Sequence, residues 1–319
     1  MYATSSFKIT VGVVAGGGRP HGNNEYSITL RKKFELSFDE LVTKENLYRA
    51  WNDFVRSKRK RVDVNNFSIL LADNLFELHD DLLSGKYQHG AYEEYMVCDP
   101  KKRIIHKASV RDRVVHRLVY NALYSYFDSK FFYDSYSCRV GKGTHKARAR
   151  FRDFVNQASA NYTKPCYILK FDIKKCFASV DQGILKQILQ VHINDDKVFD
   201  LLANVVDSFP VGLPLGNLTS QLFINIYLHE LDYHIKQTLG VKYYLRYADD
   251  IVIVGRCEED LRSSMVSIRT FLENTLRLQV HKIIVCSVYS GVDVVGEVFF
   301  PTYTTLRQST VRRARDRVG

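Results

Sequence analysis

The stretch LRYADDIVIVG at 245–255 sets two adjacent carboxylates, Asp249 and Asp250, between two apolar runs of β-forming residues. Ionised carboxylates repel each other and resist desolvation, so a pair beside a buried strand needs either open solvent or a strongly positive partner. Two other Asp-Asp pairs in the chain have simpler settings. Asp80-Asp81 lies in a polar helical stretch, and Asp195-Asp196 opens a helix, where acids suit the macrodipole. Asp249-Asp250 instead occupies the bend of an apolar hairpin, where Asn-Gly or Asp-Gly is the usual turn. A solvated acidic tip is one reading of this segment, and a cation site is the other.

A third acid bears on the choice. Asp172 ends the strand-like run CYILKFD, which is expected to lie beside the hairpin in one antiparallel sheet. Three carboxylates meeting at neighbouring strand ends would repel strongly without divalent cations, and an all-oxygen ligand set favours Mg²⁺ or Mn²⁺. Two such ions can activate an attacking hydroxyl and stabilise a leaving pyrophosphate in an in-line displacement.

Residues 1–36, Gly- and Asn-rich around AGGGRPHGNN, are expected to be a flexible extension with one short strand at 26–36. Their Gly triplet lacks both G-x-G-x-x-G spacing and a P-loop Lys-Ser/Thr, which argues against phosphate binding. Ser37 with Glu40 forms a capping-box pattern that predicts a helix over 37–61. A second helix is expected over 65–85, closing at Gly85. A hairpin over 92–109 turns at Asp99-Pro100, and helices follow over 110–131 and 144–158. The second half reads as a strand over 165–177, helices from Gln182 and over 196–208, and a Gly/Pro-rich loop leading into a helix by 235. The hairpin over 241–255, a helix over 258–277, late strands and a basic C-terminal helix over 306–319 complete it. Strand, helix, hairpin, helix, strand is the ferredoxin-like order, so the fold class is α+β, an antiparallel sheet with helices on one face.

Composition narrows the partner. The chain has 46 basic and 35 acidic residues, a net charge of +11, which points to a polyanion and to nucleic acid before membrane. No C-x-x-C spacing occurs among the six cysteines, so neither a zinc ribbon nor a disulfide framework is expected. With no apolar run of membrane-spanning length and no signal-peptide pattern, a cytoplasmic protein is expected.

The YADD stretch resembles the Tyr-x-Asp-Asp signature of reverse transcriptases, and FDIKKCFASVD resembles their first metal-binding motif. RIIHKASVRDRVVH is similar to the fingers motif of the bacterial members, SYSCRVGKGTHKA to their next block, GLPLGNLTSQLFINIYLHELD to their template-and-nucleotide loop and helix, and FFPTYTTLRQSTVRR to the start of the thumb. These motifs run in order over about residues 37–315. The resemblance implies a right-hand polymerase, with fingers over 37–165, palm over 166–300, and the start of a short or truncated thumb at 301–319. It implies an RNA-directed DNA polymerase that copies template RNA into cDNA from dNTPs, using two Mg²⁺ ions with Mn²⁺ as an alternative.

By the same resemblance, Asp172, Asp249 and Asp250 carry the metal ions and Ile173 offers its carbonyl. Phe177 abuts the sugar 2′ carbon and selects dNTPs. Arg103 and Arg111 approach the triphosphate, where guanidinium fits phosphate bidentately. Lys107 is a weaker candidate, and Arg113 is assigned to structural pairing within the Arg-Asp-Arg cluster. Tyr247 lies near the primer end, Gly216 lets backbone approach the nucleotide, and Ser220 and Gln221 face template or nucleotide. Lys282 is a candidate for protonating pyrophosphate, although the usual His-Pro-x-Lys pattern is absent. In the primer-grip stretch VVGEVFF, only Gly296 keeps the family's pattern.

The nucleotide loop reads LGNLTSQ, where retron and intron enzymes usually have Gln-Gly-x-x-x-Ser-Pro. Leu215 and Gln221 there resemble the reverse transcriptases of diversity-generating retroelements, which misincorporate opposite adenine and work with a small basic oligomeric accessory protein. For template RNA, 57–61 (SKRKR), 145–152 (HKARARFR) and the C-terminal arginines are candidate phosphate contacts. Another bacterial reverse transcriptase, intron-like, retron-like or defence-associated, is the alternative. A non-catalytic RNA-binding palm or fragment is a second.

Overall fold

In the computed structural model, which describes residues 33–98 and 102–318, Ser37 builds the capping box that the spacing predicts. Its amide donates to Glu40 Oε2 at 2.9 Å and its Oγ accepts from the Glu40 amide at 3.3 Å. The helix it opens is a single turn, α1 (Phe38–Leu41), not one helix over 37–61. Thr43 caps a new start, accepting from the Asn46 amide at 3.1 Å, and α2 (Lys44–Val55) follows. Two closely spaced caps win over one continuous helix because each satisfies amide donors that a helix start leaves open. The helix expected over 65–85 likewise divides into α3 (Val62–Ile69) and α4 (Leu71–Leu83), broken at Leu70. Gly85 closes α4 at φ +71°, as expected. The Gly-rich segment up to residue 32 and the Asp99-Pro100 turn lie outside the described residues.

The expected hairpin forms from β1 (Glu93–Val97) and β2 (Arg103–Lys107), paired antiparallel. Two helices, α5 (Val110–Asp128) and α6 (Thr144–Ala158), lead to the central sheet. That sheet uses β3 (Tyr167–Ile173), then α7 (Gln182–His192), α8 (Asp196–Asp207) and α9 (Leu218–Tyr233), then β4 (Tyr243–Tyr247), β5 (Asp250–Gly255), α10 (Glu258–Asn274) and β6 (Val280–Ser287). Its order is β4-β5-β3-β6, with every neighbouring pair antiparallel, which is the ferredoxin-like topology. A second sheet, β7 (Val292–Val294), β8 (Glu297–Phe299) and β9 (Thr304–Leu306), precedes α11 (Gln308–Val318).

Strand alternation divides the core. Leu169, Phe171 and Ile173 of β3 with Ile251 and Ile253 of β5 join the larger core, which holds α7, α9 and α10. Ile168, Val252 and Val254 face a smaller core under α6 and the second sheet, where Phe151 meets Phe299 edge-on at 5.2 Å. Helices therefore cover one face as expected, and α6 with β7–β9 covers the other. That packing reassigns the arginines of 145–152. Arg148 donates to the Val295 carbonyl at 2.6 Å and pairs with Glu297 at 2.8 Å, Arg150 pairs with Asp134 at 2.8 Å, and Arg152 reaches Glu297 at 3.5 Å. Arg148 and Arg150 are thus engaged within the fold, while Arg152 stays half exposed. Arg113 is structural as expected, but its partner is Asp63 of α3, because Asp112 is taken by Tyr87 and Ser109.

All six cysteines are free thiols. Among the described residues no helix is long and apolar enough to cross a membrane.

One buried network ties the front of the molecule to α9. His89 Nδ1 donates to the Gly90 carbonyl at 2.7 Å, which leaves its Nε2 to accept from His116 Nε2 at 2.9 Å. The other ring nitrogen of His116 accepts from the Thr219 hydroxyl. Burial, with the charges of His89 and Arg113 adding to it, holds the His116 pKa down to about 3. The unfolded chain protonates this histidine near pH 6.5, so between about 3 and 6.5 the unfolded state binds more protons and stability falls as pH falls. The thermal midpoint is expected to drop between pH 7.5 and 5.5, with a contribution of up to about 1.4 kcal/mol per pH unit from this group. In His116→Gln that part of the slope should vanish; an unchanged slope in melts across this range would assign it elsewhere.

Candidate active site

Tyr247 and Asp250 are Cα partners across β4 and β5, so Ala248 and Asp249 make a two-residue turn. Ala248 sits at φ +54°, a left-handed conformation that costs a residue with a Cβ roughly 1 kcal/mol or more. Arg246 supplies what holds it. Its Nη1 donates to the Ala248 carbonyl at 3.3 Å and to Asn225 Oδ1 at 3.0 Å, while Nε and Nη2 grip Asp232 at 2.7 Å each. Both members of this ion pair are fully buried, and the Tyr244 hydroxyl also donates to Asp232. The backbone of Arg246 is fixed as well, donating to Asp134 O and accepting from Tyr136 N at 2.9 Å each. Neither Arg246 nor Asp232 was expected from sequence. The available signal was a charge inside the apolar strand YYLRY, with two acids, Glu230 and Asp232, near the end of the apolar helix above it.

The turn meets β3 through the Asp249 carbonyl and the Asp250 carboxylate. Asp172 and Asp250 are Cα partners on one face of the sheet, and the Ile173 amide donates to the Asp249 carbonyl at 3.3 Å. Asp172 Oδ1 accepts from the Lys282 amide at 3.0 Å. Thus Lys282 stands beside the site on β6 with its backbone touching the carboxylate. Asp250 Oδ2 pairs with Lys170 at 3.1 Å, and its Oδ1 is buried without a hydrogen-bond partner. Burial pushes the Asp250 carboxyl above its usual range, Lys170 pulls it back, and Asp249 and Asp293 push it up further. Among the described residues no three His, Cys, Asp or Glu side chains are gathered into a ready-made metal cluster. The donor set nevertheless fits a hard cation: two facing carboxylates, a third beside them in the turn, and one buried oxygen unpaired.

Four residues past the end of β3, Phe177 lies half-buried in the 3₁₀ turn Cys176–Ser179, and its carbonyl accepts from the Leu213 amide at 2.8 Å. Leu213 belongs to the loop that carries Leu215, Gly216 and, at its helical end, Ser220 and Gln221. The loop also docks on β2. His106 N donates to Leu215 O, and Asn217 Nδ2 donates to His106 O, both at 2.9 Å. Gly216, at φ +111°, is required here, since a Cβ would lie 2.5 Å from Ile105 Cγ2. Leu215 is half-buried and Gly216 exposed, whereas Ser220 is buried inside α9, which leaves Gln221 as the more accessible of that pair.

The expected fingers cations separate. Arg103 is exposed at the start of β2, but Arg111 pairs with Asp81 at 2.5 Å over the Tyr87 ring, and Lys107 bridges Asp63 and Glu93. Tyr247 packs against the smaller core, and Gly296 turns β7 into β8 at φ +89°.

Removing Arg246 alone strands a buried carboxylate. Arg246→Met is therefore expected to cost about 3–5 kcal/mol in denaturant unfolding, and Arg246→Met with Asp232→Leu to recover most of it. A single variant that loses under about 1 kcal/mol would show that the pair does not brace the turn.

Residues 98–299 match the protein family described as "Reverse transcriptase (RNA-dependent DNA polymerase)". The chain is 25% identical over 179 residues to Protein YkfC of Escherichia coli, covering 52% of this chain and 46% of that protein. It is 26% identical over 189 residues to an uncharacterized 91 kDa protein in the cob intron of Schizosaccharomyces pombe, covering 52% of this chain and 22% of that one. The chain thus spans less than half the length of these relatives. Among solved structures, telomerase from Candida albicans, in complex with a fragment of telomeric RNA, aligns with a TM-score of 0.50 and 12% identity. That alignment covers 70% of this chain and 49% of the other, and it is a likeness of fold.

Proposed function

Because this chain belongs to the reverse transcriptase family and has the right-hand polymerase fold, we propose that it is an RNA-directed DNA polymerase that extends cDNA on a template RNA. One observation carries the reading: Asp172 and Asp250 face each other at the end of the central sheet, with Asp249 beside them in a braced turn. In this reading Asp172, Asp249 and Asp250, with the Ile173 carbonyl, hold divalent cations, Mg²⁺ first. When bound, such ions supply Lewis-acid stabilisation of the attacking 3′ hydroxyl and the departing pyrophosphate.

The remaining roles belong to the chain itself. Phe177 closes the space a ribose 2′ hydroxyl would need, and its backbone tie to Leu213 fixes it against the nucleotide loop. Arg103, exposed on β2, meets the triphosphate. Gly216 admits the nucleotide close to backbone, and Gln221 faces the template side. Tyr247 and Gly296 position the primer, and Lys282, on the strand edge beside Asp172, lies near the leaving group. Fingers over 37–165 and palm over 166–300 frame this site, with the thumb beginning after 300. Support for a polyanionic partner comes from the net charge of +11.

The finer reading is the adenine-mutagenic enzyme of a diversity-generating retroelement, working with template RNA and a small basic accessory protein. LGNLTSQ supports it. The main chain of Leu215 is anchored to β2, while its side chain offers no hydrogen bond to a nucleotide sugar. Small losses of positional control matter greatly at a reacting centre.

A primer-extension assay on an RNA template with Mg²⁺ tests the first reading. The chain should incorporate dNTPs in preference to NTPs, Asp249→Ala should abolish incorporation, and Phe177→Ala should erode the sugar preference. Incorporation that survives Asp249→Ala would reject the assigned site. For the finer reading, Leu215→Gln should lower misincorporation opposite adenine by about tenfold, the rate equivalent of one hydrogen bond. Equal error spectra in the two proteins would remove that explanation.

A further inference from the structure

The carboxylate pair already has a cation of its own. Lys170 lies two positions before Asp172 on β3, so both side chains leave the same face of the strand, and that face also carries Asp250. Its Nζ stands 3.1 Å from Asp250 Oδ2 and donates to the Asp293 carbonyl of β7 at 2.5 Å. The side chain is 14% exposed, which is unusual for a lysine and leaves it little freedom to swing away. Asp293, whose carbonyl fixes Lys170, is itself held through its carboxylate by Arg307, just before α11. A chain of polar contacts therefore runs from Asp250 through Lys170 and Asp293 to the base of the C-terminal helix.

We propose that Lys170 is a positioning residue that acts as a built-in counter-ion for Asp250. It lets the acidic pair remain folded when no divalent cation is bound, and it holds Asp250 so that only the unpaired Oδ1 is offered to one. Two facing carboxylates at the end of a buried sheet would otherwise repel in the metal-free protein, where nothing else on that face carries a positive charge within reach of Asp250 among the described contacts. Lys170 does this through Oδ2, so it need not leave when a cation takes the other oxygen, Oδ1. Its partner in β7 also makes the second sheet, and not only the central one, part of what sets the position of Asp250. The inference rests on Asp250 being a metal ligand.

The test compares the full chain with Lys170→Met, Lys170→Arg and the double variant Lys170→Met with Asp250→Asn, at one pH, using Mn²⁺ as the probe. Thermal midpoints are taken in EDTA and in saturating Mn²⁺, and Mn²⁺ affinity is measured by electron paramagnetic resonance. Lys170→Met should have a lower midpoint than the parent in EDTA, a larger rise on adding Mn²⁺, and Mn²⁺ binding tighter by roughly three- to tenfold, because a competing charge has gone. Lys170→Arg should resemble the parent, and the double variant should regain the parent's midpoint in EDTA, because no charge is left to compensate. If Lys170→Met fails to fold in EDTA, the double variant decides: recovery supports the counter-ion, and equal failure shows that lysine serves only packing and overturns it. Equal Mn²⁺-induced rises in the parent and Lys170→Met would also overturn it. A midpoint and a resonance signal that Mn²⁺ leaves unmoved in every protein would instead reject the metal-site reading, and the inference would fall with it.

Discussion

Repulsion between Asp172 and Asp250 is the constraint around which the rest of this molecule is arranged. The β3–β5 register puts them directly opposite each other, at a strand spacing where like charges oppose pairing. The fold answers from three directions. Below the turn, the buried Arg246–Asp232 pair fixes the carbonyl of Ala248 and with it a left-handed residue that would otherwise relax. Beside it, the Lys282 amide takes one oxygen of Asp172, and behind it Lys170 takes one of Asp250. The Arg246–Asp232 pair is fully buried and the Lys170–Asp250 pair largely so, unlike the charges of a hairpin tip that water alone solvates.

The loop that carries Leu215 and Gly216 is positioned by a different kind of force. It is pinned at one end to the carbonyl of Phe177 and at the other to the backbone of His106, so it bridges the turn after β3 and the β1–β2 hairpin. Gly212 and Gly216 make both approaches possible, because a Cβ on either would lie 2.5 Å from its neighbour. Movement of the hairpin must therefore be felt at Leu215. The buried His89–His116–Thr219 network adds a second tie between the same regions through the first turn of α9.

The excess of positive charge is only partly a surface property. Arg148, Arg150 and Arg152 clamp α6 to neighbouring segments, Arg111 and Arg113 clamp α5 to α4 and α3, and Arg246 is buried outright. The charges left on the outside include Arg59, Lys60 and Arg61 after α2 and Arg312 and Arg315 on α11. Counting basic residues points to a polyanion, but it cannot say which of them face one, since an arginine paired across an interface and one facing solvent are the same letter.

Much of the architecture was legible in the sequence because it rests on local periodicity and turn chemistry. The capping box at Ser37, the glycine stop at Gly85, the helix over 144–158 and the hairpin around Asp249 all depend on residues within a few positions of one another. The two long helices that the apolar spacing predicts divide instead, because that spacing runs through a break that a second cap or a single non-helical residue creates. By itself the sequence determined the order of strands and helices, the strand that would carry Asp172 and the turn that would carry Asp249 and Asp250. Only the tertiary structure decided what compensates those charges and what braces their turn: Lys170 and the Lys282 amide reach the carboxylates, and Arg246 holds the Ala248 carbonyl. Asp232, which fixes Arg246, comes from a helix, and Asp293, which fixes Lys170, from a second sheet. Compensation of a buried charge depends on distance in space, and distance between strands is set by register and packing, which no local pattern encodes.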